Sequence, residues 1–291
     1  MASSASVASR PKAVSRPKVR RRGPLTYVFR FVVVAYLVLL VAWPVSLIAK
    51  QTFADGFSTL STAFGDEEVT AALGLTVRVA VVSVLINLVF GLGISLLLVR
   101  YRFPGRRLLS ALIDVPLSVS PVVVGLSLVL VYGGRDGWFG PGLEDAGFQI
   151  IFATPGIIMA TTFVALPLVI REVVPVLEEI GTDQEQAARS LGANAIQTFR
   201  RVTLPAIKWA VVYGVVLSLA RSLGEFGAVK VVAGNVGGKT RTATLAVEHK
   251  YQQFGADNLA SAYAIAFLLA AVAVACIVVV SFLRPDVSEK R

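Results

Sequence analysis

Long apolar runs with very few charges limit what this sequence can fold into. Six of them reach or exceed the roughly 20 residues that a helix needs to cross the hydrocarbon core of a bilayer: 27–49, 73–99, 108–132, 150–170, 207–232 and 259–283. Charged residues make up only 16% of the chain, against about 25% in ordinary soluble domains. We therefore expect a multi-pass membrane protein.

The apolar runs are predicted to be helices, because a segment in lipid must satisfy its backbone hydrogen bonds internally. A membrane β-barrel would instead show alternating segments of about ten residues, which this sequence lacks. The predicted fold class is all-α, a polytopic membrane protein with six transmembrane helices.

Lysine and arginine indicate how the helices are oriented, because cytoplasmic loops carry an excess of both. With the N-terminus inside, 20 of the 28 lysines and arginines fall in cytoplasmic segments and five in external ones. We expect both termini on the cytoplasmic side of a bacterial inner membrane. Orientation and attraction to anionic membrane lipid explain the net charge of +10 without a nucleic-acid partner.

The same pattern suggests how the chain is divided. Residues 1–26 form a basic cytoplasmic tail that is predicted to be disordered, because it has almost no apolar content. Residues 27–69 hold the first transmembrane helix and an external loop, 70–283 hold the other five helices, and 284–291 form a second cytoplasmic tail.

The longest cytoplasmic stretch between spans runs from residue 171 to 205 and has the signals of a short helix outside the membrane. Asp183 is a candidate N-cap, and Gly192 is a plausible end of that helix. A second amphipathic stretch leads to Pro205, where the fifth span is expected to begin. Such a helix either docks into a groove on a soluble partner or packs only on its own bundle.

The spacing of residues in this stretch resembles the EAA loop of ABC importer permeases, E-A-A-x3-G-x9-I-x-L-P, at residues 183–205. The departures are Val202 for isoleucine and Gln186 for the first glutamate, with Glu185 one place earlier. The resemblance implies a coupling helix that docks on an ATP-hydrolysing subunit. Its candidate residues are Glu185, Gln186, Ala187, Ala188, Gly192, Leu204 and Pro205.

Two further segments, 113–132 and 220–234, resemble the W-type membrane subunit of bacterial sulfate/thiosulfate importers. The resemblance implies a type I ABC importer permease fold, with residues 70–283 as its ABC transmembrane type-1 domain. It also implies three partners: a T-type permease subunit that completes a heterodimer, a dimer of ATP-binding subunits, and a periplasmic or extracellular sulfate-binding protein. ATP and Mg would be used by the ATP-binding subunits, with no cofactor on this chain.

Two of the charged residues in the fifth apolar run are candidates for the translocation path. Arg221 and Glu225 lie four residues apart, so on a helix they share a face and can pair. An arginine inside the bilayer should face the bundle or a wet cavity, because it is costly in lipid. The pair either lines the translocation path, where Arg221 favours an oxyanion, or locks helices together.

Catalytic and metal-binding residues are not expected. The chain has one histidine, which is too few for a metal site or a catalytic cluster. Residues 234–240 nearly match a phosphate loop, but Ala233 stands at the position of its first glycine. Two alternatives to a sulfate/thiosulfate permease remain: an ABC permease for molybdate or another oxyanion, and a stand-alone channel or ion-coupled carrier.

Overall fold

The structure is a computed structural model that describes residues 24–54 and 56–283, and all regular structure in them is helical. Most of the predicted tail 1–26 and all of the tail 284–291 lie outside the described residues. The helices are, in chain order, α1 (Pro24–Leu37), α2 (Trp43–Thr52), α3 (Ser58–Gly65), α4 (Glu67–Arg100), α5 (Arg106–Ser118), α6 (Pro121–Tyr132), α7 (Gly140–Asp145), α8 (Thr154–Ile180), α9 (Asp183–Ser190), α10 (Ala195–Thr198), α11 (Leu204–Leu223), α12 (Gly227–Val232), α13 (Ala243–Gln252) and α14 (Ala256–Leu283).

The described residues divide into two compact units, one that ends at Ser46 and one that begins at Leu47. A π-helical turn at Val38–Ala42 follows α1 and leads into α2. Together these elements form one apolar helix, Thr26–Thr52, of 27 residues. At 1.5 Å per residue it is about 40 Å long, enough to span a bilayer.

The larger unit is built around α8, which packs against both α4 and α11. Half of the most apolar stretch of α8 is buried, the largest share among the spanning helices. Val169 of α8 faces a glycine on each of the two neighbouring helices. A Cβ atom added to Gly91 of α4 or to Gly214 of α11 would lie 3.0 Å from an atom of Val169. Small residues let transmembrane helices approach closely, so the sequence sets the spacing of this three-helix core.

A second buried cluster joins the ends of several helices to this core. Ile157 and Ala160 of α8 pack with Val79 of α4 and with Val229 and Val232 of the short helix α12. Helix α12 also packs along α6. The described part of the larger unit is therefore held by apolar contacts among helices that are distant in the sequence.

The third predicted span, 108–132, is not one straight helix. It consists of α5 and α6, which meet at 112°. The break falls at Ser120, whose extended backbone (φ −59°, ψ 135°) precedes Pro121 at the start of α6. A residue before proline is driven out of the helical region by the proline ring, so the turn has a local cause.

The fifth predicted span, 207–232, also differs from prediction. Its helix continues back through a π-helical turn, Phe199–Thr203, to Ala195, and it ends at Leu223 rather than at residue 232. The last part of the predicted span is the separate helix α12. Within residues 24–54 and 56–283, five helices are long and apolar enough to cross a membrane, or six if the bent pair α5–α6 counts as one span. The all-α fold class is confirmed.

Candidate functional site

The predicted cytoplasmic helix is present as α9, joined to the end of α8 by only Gly181 and Thr182. Thr182 occupies the N-cap position, so the expectation that Asp183 caps the helix is wrong; Asp183 is its first residue. An acidic residue in the first turn still favours the helix, because it interacts with the positive end of the helix dipole.

The far end of α9 is defined by Gly192, whose φ of +86° lies in the left-handed region that glycine adopts freely. The Ala193 N–H donates to the Ala188 carbonyl at 3.0 Å and closes this end. A capping box then starts α10: the Gln197 N–H donates to Asn194 Oδ1 at 2.8 Å, and the Asn194 N–H donates to Gln197 Oε1 at 3.0 Å. The segment is therefore an ordered helix–turn–helix.

The seven candidate coupling residues divide by exposure. Gln186, Ala187 and Gly192 are exposed and Ala188 is half-buried, whereas Glu185 is buried. Leu204 and Pro205 are half-buried and exposed, respectively, at the start of α11. The exposed surface of α9 therefore includes Ala187 and Gln186 together with the polar residues Asp183, Gln184, Arg189 and Ser190, whereas Glu185 is buried.

The Glu185 carboxylate is held by residues from two other elements. Arg100, the last residue of α4, donates from Nε to both of its oxygens at 3.2 Å, and the Arg100 Nη2 lies 3.1 Å from Oε1. Thr203, next to the motif residue Leu204, donates its hydroxyl to Oε1 at 2.9 Å. The structure thus brings the two ends of the EAA-like loop together around one buried carboxylate.

The same arginine also caps the end of α8. Its Nη1 donates to the Leu177 carbonyl at 3.0 Å and its Nη2 to the Gly181 carbonyl at 2.8 Å. The last carbonyls of a helix have no partner within the helix, and Arg100 donates hydrogen bonds to two carbonyls at this end, those of Leu177 and Gly181. We call Arg100, Glu185, Thr203 and these two carbonyls the cytoplasmic clamp.

Sequence reasoning missed Arg100 and Thr203 as parts of this site. In the sequence, Arg100 is one of the basic residues that indicate the orientation of the spans, and 85 residues separate it from Glu185. Leu191 and Ile196 were also missed; they are exposed apolar side chains, at 90% and 70%, on the same loop.

The second candidate pair, Arg221 and Glu225, does form an ion pair at 2.6 Å. The expectation that both lie on one continuous helix is wrong, because α11 ends at Leu223 and Glu225 lies in the break before α12. The Glu225 side chain is only 2% exposed and that of Arg221 is 38% exposed. The buried member of the pair is therefore the acid.

Glu225 organises the break between α11 and α12. Its Oε1 accepts the Ala228 N–H at 3.0 Å, which caps α12, and its backbone carbonyl accepts the Thr244 hydroxyl of α13 at 2.8 Å. Lys230 of α12 forms a further ion pair with Glu248 of α13. The chain therefore joins α11, α12 and α13 through polar contacts, and Arg221 stays half-exposed beside them.

A third charged cluster lies at the N-terminus of α4. Asp66 is the N-cap and accepts the Glu68 N–H at 2.8 Å, and Lys250 of α13 donates to Asp66 Oδ2 at 2.8 Å. Arg241 pairs with Glu68 nearby. The hydrogen bond from Lys250 is the main reason that the pKa of the Asp66 carboxyl lies below its usual range, although partial burial opposes the shift. This cluster ties α13 to the start of α4.

The sequence matches the family described as "Binding-protein-dependent transport system inner membrane component" over residues 87–289. The chain belongs to this family of membrane transport components. A crystal structure of a bacterial ABC transporter that imports the polysaccharide alginate shares the fold, with a TM-score of 0.72, 17% identity, and coverage of 89% of this chain and 94% of that one.

Curated relatives are considerably more similar in sequence. The sulfate transport system permease protein CysW of Synechococcus elongatus is 48% identical over 86% of each chain. CysW of Escherichia coli K12 is 42% identical over 89% of this chain and 87% of its own length. CysT of E. coli K12 is 38% identical over 80% and 85%. The predicted resemblance to the W-type permeases is confirmed.

Proposed function

We propose that this chain is the W-type permease subunit of an ATP-driven importer of sulfate or thiosulfate. The relatives named above as sulfate permeases support the substrate, since two of them are 42% and 48% identical over most of both chains. In the proposed mechanism, a separate subunit hydrolyses ATP. Its movement reorients the helical bundle between outward-open and inward-open states.

One structural observation carries the coupling role. Helix α9 presents small exposed residues, among them Ala187, while Glu185 is anchored in the cytoplasmic clamp. A rigid helix with little side-chain bulk can enter a cleft on another subunit. We propose that Gln186, Ala187, Ala188 and Gly192 contact the ATP-hydrolysing subunit, and that Leu204 and Pro205 transmit the movement to α11.

The proposed complex contains several other chains. A T-type permease subunit completes a heterodimer, consistent with CysT relatives that are 38% identical to this chain. A dimer of ATP-binding subunits uses ATP and Mg, and this chain binds no cofactor. A periplasmic or extracellular sulfate-binding protein delivers the anion; the bacterial alginate transporter has likewise been crystallised in complex with a periplasmic protein that carries an alginate pentasaccharide. We propose that both termini lie in the cytoplasm and that the helices contact membrane lipid.

Arg221 is the proposed contact for the anion, with Glu225 as its partner. The guanidinium is half-exposed at the break between α11 and α12, and such breaks leave backbone groups and charges facing a cavity rather than lipid. Glu225 reduces the net positive charge there, so the proposal depends on the free side of Arg221. The alternative role is that of a pair that only locks the helices.

The substrate is tested by uptake of labelled sulfate in cells that lack this gene. We expect uptake to be lost, to be restored by the wild-type chain, and to compete with unlabelled thiosulfate but only weakly with excess molybdate. Strong competition by molybdate would favour a permease for that oxyanion. Uptake that persists when the ATP-binding subunit is inactivated would favour a stand-alone channel or ion-coupled carrier.

The coupling role is tested in the same strain with two matched glycine variants. Gly192 and Gly105 both have a positive φ, +86° and +90°, and a Cβ atom added to either meets nothing within 4 Å. Gly192→Asp should abolish uptake, because it adds a charged side chain to the docking surface. Gly105→Asp introduces the same strain outside the loop and should retain uptake. Equal losses would contradict a specific role for α9.

A further inference from the structure

We infer that Arg100 is the positioning residue of the coupling helix: it fastens α9 to the cytoplasmic ends of α4 and α8 at once. Its guanidinium donates to the Glu185 carboxylate of α9 and to the Leu177 and Gly181 carbonyls at the end of α8. Arg100 itself ends α4. One side chain therefore joins three elements.

This contact is largely buried, so removing one partner would leave the other charge uncompensated. The Arg100 side chain is 11% exposed and that of Glu185 is 9% exposed. Such a pair is screened little by water or salt, and the planar guanidinium fits a carboxylate and two carbonyls in a fixed fork of donors. The Thr203 hydroxyl fills a further site on Glu185 Oε1. The buried carboxylate is thus surrounded by donors from α4 and from the turn before α11.

The covalent link between α8 and α9 is only two residues long. It consists of Gly181 and Thr182, and Gly181 has a φ of +63° that few other residues adopt. The Thr182 side chain makes no capping hydrogen bond to the backbone of α9, although its carbonyl accepts the Gln186 N–H at 2.9 Å. By binding the Gly181 carbonyl, Arg100 restrains the linker as well as the helix beyond it.

The consequence concerns how movement is transmitted, and it rests on the proposed function. Without the clamp, a force applied to α9 would pass to α8 through the two-residue linker. With the clamp, the same force acts on α4 and α8 together, and through Thr203 on α11. These three helices form the core of the larger unit, so the bundle responds as one body.

The test uses the complete transport complex in proteoliposomes, with variants of this chain. Arg100→Gln removes the guanidinium, Arg100→Lys keeps the charge without the fork of donors, and Glu185→Gln keeps acceptors for Arg100 and Thr203. Arg106→Gln is the control, because the Arg106–Glu178 pair is long, at 3.9 Å, and exposed, at 44% and 57%. It makes the same change of charge on the same side of the protein.

Two quantities are measured: amide hydrogen exchange in residues 183–192, and the number of sulfate ions imported per ATP hydrolysed. Arg100→Gln should raise exchange in that segment by about tenfold or more and lower the import ratio to a similar extent, since breaking a buried pair leaves a charge without its partner. Arg100→Lys should fall between it and the wild type. Glu185→Gln should have a smaller effect, because the carbonyl contacts of Arg100 remain.

Several outcomes would overturn the inference. Exchange and import ratio in Arg100→Gln equal to those of Arg106→Gln would show that α9 is held without Arg100. A loss in Glu185→Gln as large as in Arg100→Gln would show that the carbonyl contacts contribute nothing. If Arg100→Gln does not assemble, the comparison of Arg100→Lys with Glu185→Gln decides. A wild-type complex that imports no sulfate defeats the proposed function instead, and the exchange measurement still tests the clamp.

Discussion

The unequal burial of Arg221 and Glu225 predicts unequal effects when either charge is removed. In Arg221→Gln, the Glu225 carboxylate, 2% exposed, loses its counter-ion inside the protein. Breaking a buried pair in this way costs about 3 to 5 kcal/mol. The Ala228 N–H still donates to Glu225 Oε1, so we expect the lower part of that range.

Glu225→Gln strands the other partner, and the loss should be smaller. Arg221 is 38% exposed, so its charge is less confined than that of Glu225. The glutamine carbonyl oxygen can still accept the Ala228 N–H that caps α12. We expect about 1 to 2 kcal/mol, between the values for exposed and buried pairs. Arg221→Gln should therefore be the more destabilising change by about 2 kcal/mol.

Stability is measured by thermal unfolding of the purified complex, and transport by sulfate uptake in membranes with equal amounts of assembled complex. If Arg221 contacts the anion, Arg221→Gln should lose uptake per assembled complex, Arg221→Lys should keep part of it, and Glu225→Gln should keep most. Equal destabilisation by the two glutamine variants, or the reverse order, would refute the burial argument. Unchanged uptake in all three variants would remove the pathway role and leave a structural pair.

Two further predictions concern packing and pH. Gly91→Leu should destabilise the bundle by about 1 to 3 kcal/mol, because the new side chain would overlap Val169. Gly93→Leu on the same helix should cost little, since an added Cβ atom there meets nothing within 4 Å. Equal destabilisation of the two variants in thermal unfolding would contradict the packing. Since Lys250 depresses the pKa of Asp66, the stability that this contact adds is present above about pH 4 and is lost as the pH falls through the depressed pKa. The difference in unfolding temperature between wild type and Lys250→Gln should shrink below about pH 4, and a difference independent of pH would disprove the linkage.

The sequence was sufficient to predict most spans, because a bilayer selects for apolar length and that property is local in the chain. It was not sufficient for the breaks at Ser120 and after Leu223. Both lie inside runs whose length and overall hydropathy fit a single span. Proline is tolerated within transmembrane helices, as Pro167 within α8 shows. Pro121 therefore could not be assigned to a 112° bend without its neighbours.

The two candidate sites differ in the same way. The sequence predicted a short helix outside the spans, which is present as α9, because capping and glycine signals are local; the N-cap is Thr182 instead of the predicted Asp183. The clamp depends on Arg100, 85 residues from Glu185, and a single sequence contains no signal for so distant a contact. For Arg221 and Glu225, the spacing predicted the ion pair correctly, but not the break in the helix that buries the acid.

Gln186 departs from the EAA motif, which has glutamate at this position, and its environment differs from that of the neighbouring Glu185. Glu185 faces the bundle and is buried in the clamp, whereas Gln186 is exposed and its amide donates to Thr182 Oγ1 at 2.9 Å. The missing carboxylate therefore changes the charge of the docking surface and leaves the attachment of α9 intact. A partner surface that fits Gln186 needs no cation opposite it. Recognition by the ATP-binding subunit should then depend more on shape, through Ala187 and the exposed Leu191, than on charge at this position.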